Sequence, residues 1–338
     1  MAMIVHTNDV DSTIKYELEH AEKIQMTQGK IVALIPAFNE EATIRDVLFK
    51  ASEYVDEIIV VDDGSSDRTS SISAEAGAIV VSHFMNKGVG MAFATGVEKA
   101  LEIGADVVVT IDADGQFQAS EIPKVIGPII EGHADFVTGS RFLETGSELQ
   151  MDNTKRFGNK MFTRIVNRLT GQKFTDTQCG FRAYSKEALL RLTLFGKFTY
   201  TQEVLLDLTN KNIRVIEVPI TVLPRKSGDS KVVKSPFHYG FRALKIIIQA
   251  ERDYHPLRFF GAISLVFIIP ALLMLAIVLV NWFTTGMTSP FTSLLSIGGT
   301  SLLVGVIFII LALVADMQGR SRRLQEEMLY LLKRQRYS

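Results

Sequence analysis

The segment VVVTIDADGQF, residues 107–117, ends an apolar run with two aspartates, Asp112 and Asp114. Because side chains at positions i and i+2 of a strand point to the same face, both carboxylates project to one place unless the backbone turns first. Two carboxylates held together repel each other unless a positive charge lies between them. Hard divalent cations bind oxygen ligands, and Mg²⁺ commonly takes one or two carboxylates together with phosphate oxygens and water.

We therefore predict a site for Mg²⁺ or Mn²⁺ formed by Asp112, Asp114 and the amide oxygen of Gln116, with the metal arriving together with a diphosphate. The alternative interpretation is a solvated turn whose acids cap a helix. The six histidines are scattered without a paired-ligand spacing, which argues against a zinc site.

The elements that must position these acids alternate along the chain. Short runs rich in β-branched residues are IVALIPA (31–37), EIIVVDD (57–63), AIVVS (78–82), DVVVTID (106–112) and DFVTGS (135–140). The segments between them place apolar residues three and four apart, which is typical of helices. This order predicts an α/β fold with a Rossmann-like, mostly parallel sheet and helices on both faces.

Polar segments follow the predicted strands: AFNEE, DDGSSDRT, DADGQ and GSRF. Because ligands of such sheets gather at the carboxyl ends of the strands, we expect these segments to meet at one edge. The glycines of NKGVGMAFATG do not fit a dinucleotide fingerprint, since the third glycine would fall at Phe93. Gly88 and Gly90 instead predict a tight turn into a helix.

The motifs LIPAFNEE, VVDDGSSDRT, DADGQ and GSR, in this order and at this spacing, resemble family 2 glycosyltransferases with the GT-A fold. The resemblance covers residues 31–235. The later motifs TDTQCGFRAYS and RKSGDSK, followed by apolar segments, resemble dolichyl-phosphate or polyprenyl-phosphate sugar synthases. Such enzymes transfer a hexose from a nucleotide-diphosphate sugar to a polyprenyl or dolichyl phosphate in the membrane, with Mg²⁺ or Mn²⁺.

The resemblance implies roles for individual residues. The positions that match nucleoside-binding residues are Pro36, Phe38, Glu40, Val61 and Asp63. The metal and diphosphate motif matches Asp112, Ala113, Asp114 and Gln116. Arg225 and Lys231 match a loop that closes on the diphosphate, and the basic groups that hold the acceptor phosphate match Arg141, Lys155 and Arg156.

Elementary chemistry agrees with these roles. A lipid monophosphate has a second pKa of about 6, so at neutral pH it already carries a nucleophilic oxygen anion and needs no general base. Two anions must still be brought together, and the planar fork of arginine fits phosphate oxygens. The alternatives are a solvated basic helix face for Lys155 and Arg156 and a plain linker for RKSGDSK. Glu203 is either a helix-surface acid or a group near the acceptor or sugar.

Phe38, Gly115 and Cys179 stand where the mannose-phosphate synthases often have tyrosine, leucine and serine. DADGQ and TQCGFR resemble the branch of the family that uses UDP-sugars, which implies UDP-glucose or UDP-N-acetylglucosamine as the donor, with GDP-mannose as an alternative. A processive polysaccharide synthase and a non-catalytic membrane scaffold with a GT-A fold are further alternatives. The processive synthases carry a Gln-x-x-Arg-Trp signature, whereas the one tryptophan here, Trp282, lies in an apolar run.

Two uncharged runs, residues 259–283 and 291–315, each exceed the roughly 20 residues that a transmembrane helix needs. The alternative is a pair of buried core helices. Basic residues flank the pair on its outer sides, which predicts that the N-terminal domain and the C-terminal tail are cytoplasmic. The membrane is then the plasma membrane of a prokaryote or the endoplasmic reticulum.

The predicted organisation has five parts. Residues 1–29 form a peripheral helix or tail, 30–235 the GT-A catalytic domain, 236–256 an amphipathic interfacial helix, 257–316 two transmembrane helices and 317–338 a basic cytoplasmic helix. The formal net charge of −1 gives no argument for nucleic acid as a partner. One cysteine is compatible with a reducing compartment. The sequence leaves open whether the chain is a homo-oligomer.

Overall fold

The computed structural model describes residues 29–143, 153–193, 200–223, 248, 251–253 and 255–337. These residues form two units. The first contains the described residues up to 223 together with Tyr330–Tyr337, and the second contains those from 248 to Leu329. The helix predicted within 1–29 and the amphipathic helix predicted over 236–256 lie almost wholly outside the described residues.

The first unit is built on a seven-stranded sheet, counted over the described residues. Its strands, in chain order, are β1 Ile31–Ala37, β2 Glu57–Asp62, β3 Ile79–Ser82, β4 Val107–Thr110, β5 Phe136–Ser140, β6 Arg182–Ser185 and β7 Val215–Pro219. Their spatial order is β3-β2-β1-β4-β6-β5-β7. All neighbouring pairs are parallel except those that β6 makes with β4 and β5.

Helices cover both faces of this sheet. They are α1 Ile44–Ala51, α2 Thr69–Glu75, α3 Val89–Glu102, α4 Ile122–Ile130, α5 Asn153–Thr170, α6 Lys186–Arg191 and α7 Tyr200–Asn210. Side chains of α1, α2 and α4 pack on one face of the central strands. Side chains of α3, α5, α6 and α7 pack on the other face. The strands are therefore buried on both sides, as their nearly continuous apolar sequences require.

The predicted GT-A-like α/β architecture is confirmed. The five predicted strands are present, with ends that differ from the prediction by at most two residues. Gly88 has a φ of 94° directly before α3, so the predicted glycine turn into a helix is also present. Two strands were not predicted. β6 and β7 are short, and β6 contains the charged residue Arg182, which hides its burial from a pattern of apolar residues.

The second unit is dominated by two long apolar helices. Helix α8 spans Pro256–Thr285 and helix α9 spans Thr292–Arg336, and both are long and apolar enough to cross a membrane. The basic segment predicted as a helix over 317–338 is continuous with the second apolar run, because α9 has no break before Arg336.

The two helices pack antiparallel through small residues. The hydroxyl of Ser264 donates to the carbonyl of Gly305 at 2.8 Å, and the hydroxyl of Ser301 donates to the carbonyl of Phe267 at 3.0 Å. A Cβ atom at Gly305 would overlap Ile268, and one at Gly298 would lie 3.2 Å from Met274. Small residues and hydroxyl groups at such a seam let two helices approach closely in a membrane.

The last turns of α9, from Tyr330 onward, belong to the first unit. Tyr330 is 7% exposed, and its hydroxyl donates to Glu187 at 3.1 Å. The guanidinium of Arg191 lies 4.0 Å from the centre of the Tyr330 ring. Lys333 donates to the carbonyl of Leu192 at 2.9 Å. The C-terminal segment Tyr330–Tyr337 therefore contributes to the core of the sheet domain.

Candidate active site

The sheet topology brings the polar segments together. Strands β1, β2, β4 and β5 run parallel, so the segments that follow them leave from one edge of the sheet. Because β6 runs antiparallel to β4 and β5, the residues that precede β6 reach the same edge. This is the edge at which ligands of open α/β sheets bind.

The segments after β1 and β2 are joined by hydrogen bonds. The amide of Asn39 donates to the hydroxyl of Ser65 at 2.9 Å, and the amide of Ser66 donates to the Asn39 side chain at 2.8 Å. The amide of Glu40 donates to the hydroxyl of Thr69 at 2.9 Å. These contacts hold the two segments in one arrangement across the strand ends.

The positions that match nucleoside-binding residues lie on these neighbouring strands and segments. Pro36 and Val61 are partners in the register of β1 and β2. Val61 is fully buried, whereas Pro36, Phe38 and Glu40 are half-buried. Their contact with a nucleoside stays a prediction.

Asp63 is buried and supports the segment that leads into α3. Its carboxylate accepts hydrogen bonds from the amides of Lys87 and Gly88, at 2.9 and 2.8 Å, and lies 2.7 Å from Nδ1 of His83. Nε2 of His83 lies 3.0 Å from the hydroxyl of Thr95 on α3. Asp63 thus has a clear structural role, and the nucleoside contact predicted for it is a separate expectation.

The turn after β4 carries Asp112, Ala113 and Asp114. Gly115 has a φ of 71°, a conformation that glycine adopts without steric strain. The amide of Gln116 donates to Oδ1 of Asp114 at 3.1 Å. The carbonyl of Ala113 accepts the hydroxyl of Thr43 at 2.8 Å, which fixes this turn to the start of α1.

The environment of this turn fits a divalent cation that is only partly ligated by protein. Asp112 and Asp114 are half-buried, so both face a partly open site. Gly180 lies beside Asp112, and its missing side chain leaves room at both carboxylate oxygens. Among the described residues, no group of three or more histidine, cysteine, aspartate or glutamate side chains is placed to hold a metal ion. Two carboxylates would leave the remaining positions to water and phosphate oxygens.

Arg141 lies just after β5 and is held by Asp176. Nε and Nη2 of Arg141 donate to the two oxygens of Asp176, at 2.6 and 3.0 Å. Burial opposes the charge of Arg141, but the charges of Asp176 and Asp112 outweigh it, so the pKa of Arg141 is raised above its usual value. Asp112 follows β4 and Arg141 follows β5, and only β6 lies between these two strands. The structure therefore places the predicted acceptor-phosphate residue and the predicted metal ligand at the same edge of the sheet.

Of the other predicted basic residues, only Arg156 has a side chain within the described part of the structure. Arg156 is half-buried in the first turn of α5. The side chains of Lys155, Arg225 and Lys231 lie outside the described residues. Glu203 is half-buried in the first turn of α7, where the helix dipole stabilises a negative charge.

Arg182 is a buried charge that the sequence patterns did not single out. Its side chain is fully buried, and it donates to the carbonyls of Thr201 at 2.7 Å and Thr177 at 3.3 Å. Among the described residues, no carboxylate forms an ion pair with it. Arg182 is the strand partner of Thr110, two residues before Asp112. It therefore links the segment before β6 to the first turn of α7, next to strand β4.

Further residues of the site were also missed. Asp176 and Gly180 lie in the motif TDTQCGFRAYS, which was noted for its resemblance and not for the chemistry of these two residues. Asn159 carried no signal, because only folding places it beside Asp176. Folding also places Glu217 beside Thr175 and Asp176. A lone acid in the apolar run of β7 was the one cue available for Glu217.

Comparison with known proteins agrees with this geometry. The model of the family described as glycosyl transferase family 2 matches residues 32–193. The chain is 39% identical over 219 residues to a UDP-N-acetylglucosamine–dolichyl-phosphate N-acetylglucosaminyltransferase of Methanococcus voltae. The aligned region covers 59% of this chain and 87% of the relative.

Two more relatives and a solved structure are similar. The glycosyltransferase AglJ of Haloferax volcanii is 29% identical over 86% of this chain and 94% of its own length. A polyprenol monophosphomannose synthase of Mycolicibacterium smegmatis is 29% identical over 63% of this chain and 84% of its own length. The glucosyl-3-phosphoglycerate synthase of Mycobacterium tuberculosis, crystallised with Mn²⁺, UDP-glucose and phosphoglyceric acid, has a TM-score of 0.54 at 22% identity over 70% of this chain and 82% of its own.

Proposed function

We propose that this chain, which belongs to glycosyltransferase family 2, transfers a sugar from a nucleoside diphosphate to the phosphate of a polyprenyl or dolichyl lipid. The observation that carries the proposal is that Arg141 and Asp112 both lie at the carboxyl edge of the sheet, after strands that are separated only by β6. An anion-binding side chain and a pair of carboxylates suited to a metal then lie on either side of one site. Two phosphate groups, one from each substrate, fit this distribution of charge.

The donor diphosphate belongs on the side of Asp112 and Asp114. These carboxylates, with Gln116, would hold Mg²⁺ or Mn²⁺, and a cation there neutralises the charge that develops on the departing diphosphate. The segments after β1 and β2 would receive the nucleoside through Pro36 and Val61 and their neighbours. Arg225 and Lys231 would add positive charge at the diphosphate.

The acceptor phosphate belongs on the side of Arg141, with Lys155 and Arg156 as further basic groups. One anionic phosphate oxygen attacks the anomeric carbon, the bond from that carbon to the diphosphate breaks, and the nucleoside diphosphate leaves with the electron pair. The configuration at the anomeric carbon is inverted. Since the nucleophile is already an anion near neutral pH, no side chain has to remove a proton.

A lipid acceptor fits the second unit. Two apolar helices of membrane length would anchor the catalytic domain at a bilayer, where a polyprenyl phosphate presents its charged end. The relatives from Methanococcus voltae and Mycolicibacterium smegmatis are named for transfer involving dolichyl phosphate and polyprenol. A water-soluble acceptor would not require this anchor.

For the donor we propose UDP-N-acetylglucosamine, with UDP-glucose next. The support is the 39% identity to the Methanococcus voltae enzyme, whose name contains UDP-N-acetylglucosamine. GDP-mannose is the third candidate, because the polyprenol monophosphomannose synthase is 29% identical over 63% of this chain.

The test is a transfer assay with the purified chain in detergent. Tritiated UDP-N-acetylglucosamine, UDP-glucose and GDP-mannose are each incubated with dolichyl phosphate or undecaprenyl phosphate and Mg²⁺ or Mn²⁺, and label is counted in the lipid phase. We expect label from UDP-N-acetylglucosamine to enter the lipid phase. Transfer from GDP-mannose alone would overturn the donor assignment, and absence of both transfer and nucleotide binding would favour a scaffold.

A further inference from the structure

Asp176 is a fully buried carboxylate in the segment before β6. Besides the two donors of Arg141, it accepts hydrogen bonds from Nδ2 of Asn159 and from the amide of Gln178, each at 3.1 Å. The backbone amide of Arg141 also donates to Oδ2 at 3.4 Å, so five donors fix the position and the plane of this carboxylate. Burial opposes its charge, but Arg141 and these hydrogen bonds outweigh burial and lower the pKa of Asp176. The buried pair is charged on both sides at neutral pH.

Glu217 on β7 fixes the backbone that carries Asp176. Its carboxylate accepts the amide of Thr175 at 2.8 Å and the amide of Asp176 at 2.9 Å. The hydroxyl of Thr175 lies 2.6 Å from that of Ser140, the last residue of β5. The segment that carries Asp176 is thus bonded to two strands of the sheet, β5 and β7.

Asp176 is costly at a site that has to attract phosphate. A carboxylate beside Arg141 reduces the net positive charge that an incoming phosphate meets, and burying an ion pair costs desolvation free energy. In return, Asp176 fixes the orientation of the Arg141 guanidinium. A bidentate contact to Nε and Nη2 fixes the plane of the guanidinium, so less conformational entropy is lost when a phosphate binds. The Arg141 side chain remains 19% exposed, whereas Asp176 is 0% exposed.

We propose that Asp176, supported by Glu217, is a positioning residue for sugar transfer, which holds the Arg141 guanidinium in the orientation that the acceptor phosphate meets. The inference rests on the proposed function, because a phosphate acceptor is what gives Arg141 a ligand. It assigns to the segment before β6 a role in acceptor alignment, distinct from metal or nucleotide binding.

The test is a double-mutant cycle in the transfer assay with the full chain. Asp176→Asn keeps the shape of the side chain but presents an amide to donors, so Arg141 loses its bidentate partner. We expect kcat with the lipid acceptor to fall at least about tenfold, because a misplaced substrate-aligning group commonly costs that much or more. The dissociation constant of UDP with Mn²⁺, measured by calorimetry, should stay within about twofold, since positioning concerns the acceptor alone.

The cycle is completed by Arg141→Lys and the double variant. Residues that act as one unit give non-additive losses. We therefore expect the double variant to lose little more activity than Arg141→Lys alone. Asp207→Asn is the matched control, because Asp207 is also a buried carboxylate in an ion pair, 2.8 Å from Nζ of Lys211. It should leave kcat for transfer unchanged.

A second variant covers the case in which Asp176→Asn does not fold. Glu217→Gln leaves Asp176 in place and weakens its support, so a smaller loss of kcat should appear, and it should vanish in the Arg141→Lys background. Normal transfer by the wild type with additive losses, or a matching loss of UDP and Mn²⁺ affinity, would overturn this inference alone. No transfer to any polyprenyl phosphate by the wild type would overturn the proposed function and the inference with it.

Discussion

Gly180 lies against the carboxylate of Asp112, so closely that a Cβ atom at position 180 would be 3.1 Å from both carboxylate oxygens. The contact follows from the register of β4 and β6, in which Thr110 faces Arg182. A side chain at position 180 would therefore move the Asp112 carboxylate by a few tenths of an ångström. Metal ligands tolerate such displacement poorly, because the preferred ligand distances are narrow.

We predict that Gly180→Ala weakens metal-dependent UDP binding about tenfold, the lower end of the effect of altering the surroundings of a metal ligand. Calorimetric titration of UDP in the presence of Mn²⁺ measures this affinity. Gly299→Ala is the control, since no atom lies within 4 Å of a Cβ at that position. Equal affinities for the two variants would show that Asp112 has no part in holding the metal.

Acid should weaken the fold through Asp176. Its folded-state pKa is lowered below the usual value of about 3.9, so its contribution to stability is complete above that value and is lost as the pH falls through the lower, folded-state pKa. The unfolding temperature of the wild type should fall as the pH drops below about 4, and Asp176→Asn should flatten part of this fall. Scanning fluorimetry in detergent between pH 6 and pH 2 measures both curves. Parallel curves would contradict the prediction.

Cys179 should be inert in the folded protein. It is 1% exposed, and burial, with the nearby charge of Asp176, raises the pKa of its thiol to about 12. The reactive species is the thiolate, which is then scarce at pH 8. We expect iodoacetamide to modify the chain at pH 8 only after unfolding, and because the sequence has one cysteine, mass spectrometry shows a single addition. Rapid labelling of the native chain would show that the segment before β6 opens readily.

The C-terminal segment Tyr330–Tyr337 should stabilise the catalytic domain. Tyr330→Ala removes a buried ring under Arg191 and a hydrogen bond to Glu187, and we expect a loss of about 2–4 kcal/mol. Hydrogen exchange of the α6 amides, measured by mass spectrometry, reports this loss as faster exchange. Leu332→Ala is the control, because Leu332 is 61% exposed and such surface changes stay within about 0.5 kcal/mol. Similar exchange in both variants would leave the segment without a stabilising role.

The strands and the acidic turn could be predicted because their signals are local. An apolar β-branched run such as IVALIPA predicts a buried strand wherever it is placed, and DADG after such a run predicts acids at a strand end. The two apolar helices were equally clear, since length and lack of charge alone define them. Gly298 and Gly305 lie at the seam between the two helices, whereas no atom lies within 4 Å of a Cβ position at Gly299.

The partner of Arg141 could not be predicted, because it depends on folding. Arg141 and Asp176 are 35 residues apart in the chain, and Glu217 is 41 residues beyond Asp176. They meet because β6 inserts antiparallel between β4 and β5, and this strand carries a buried arginine in place of an apolar run. The structural role of Asp63 could not be predicted for the same reason. Its carboxylate accepts the amides of Lys87 and Gly88 because β3 lies beside β2 in the folded sheet.

The central claim is that Asp112 and Asp114 hold a metal and a donor diphosphate for attack by a lipid phosphate. The most direct test compares purified wild type and Asp114→Ala for transfer of tritiated N-acetylglucosamine from its UDP derivative to dolichyl phosphate, with Mn²⁺ present and after chelation by EDTA. We predict that transfer by the wild type requires the metal and that Asp114→Ala, folded and bound to the membrane as before, loses transfer at least about a hundredfold. Transfer by Asp114→Ala at the wild-type rate would contradict the account.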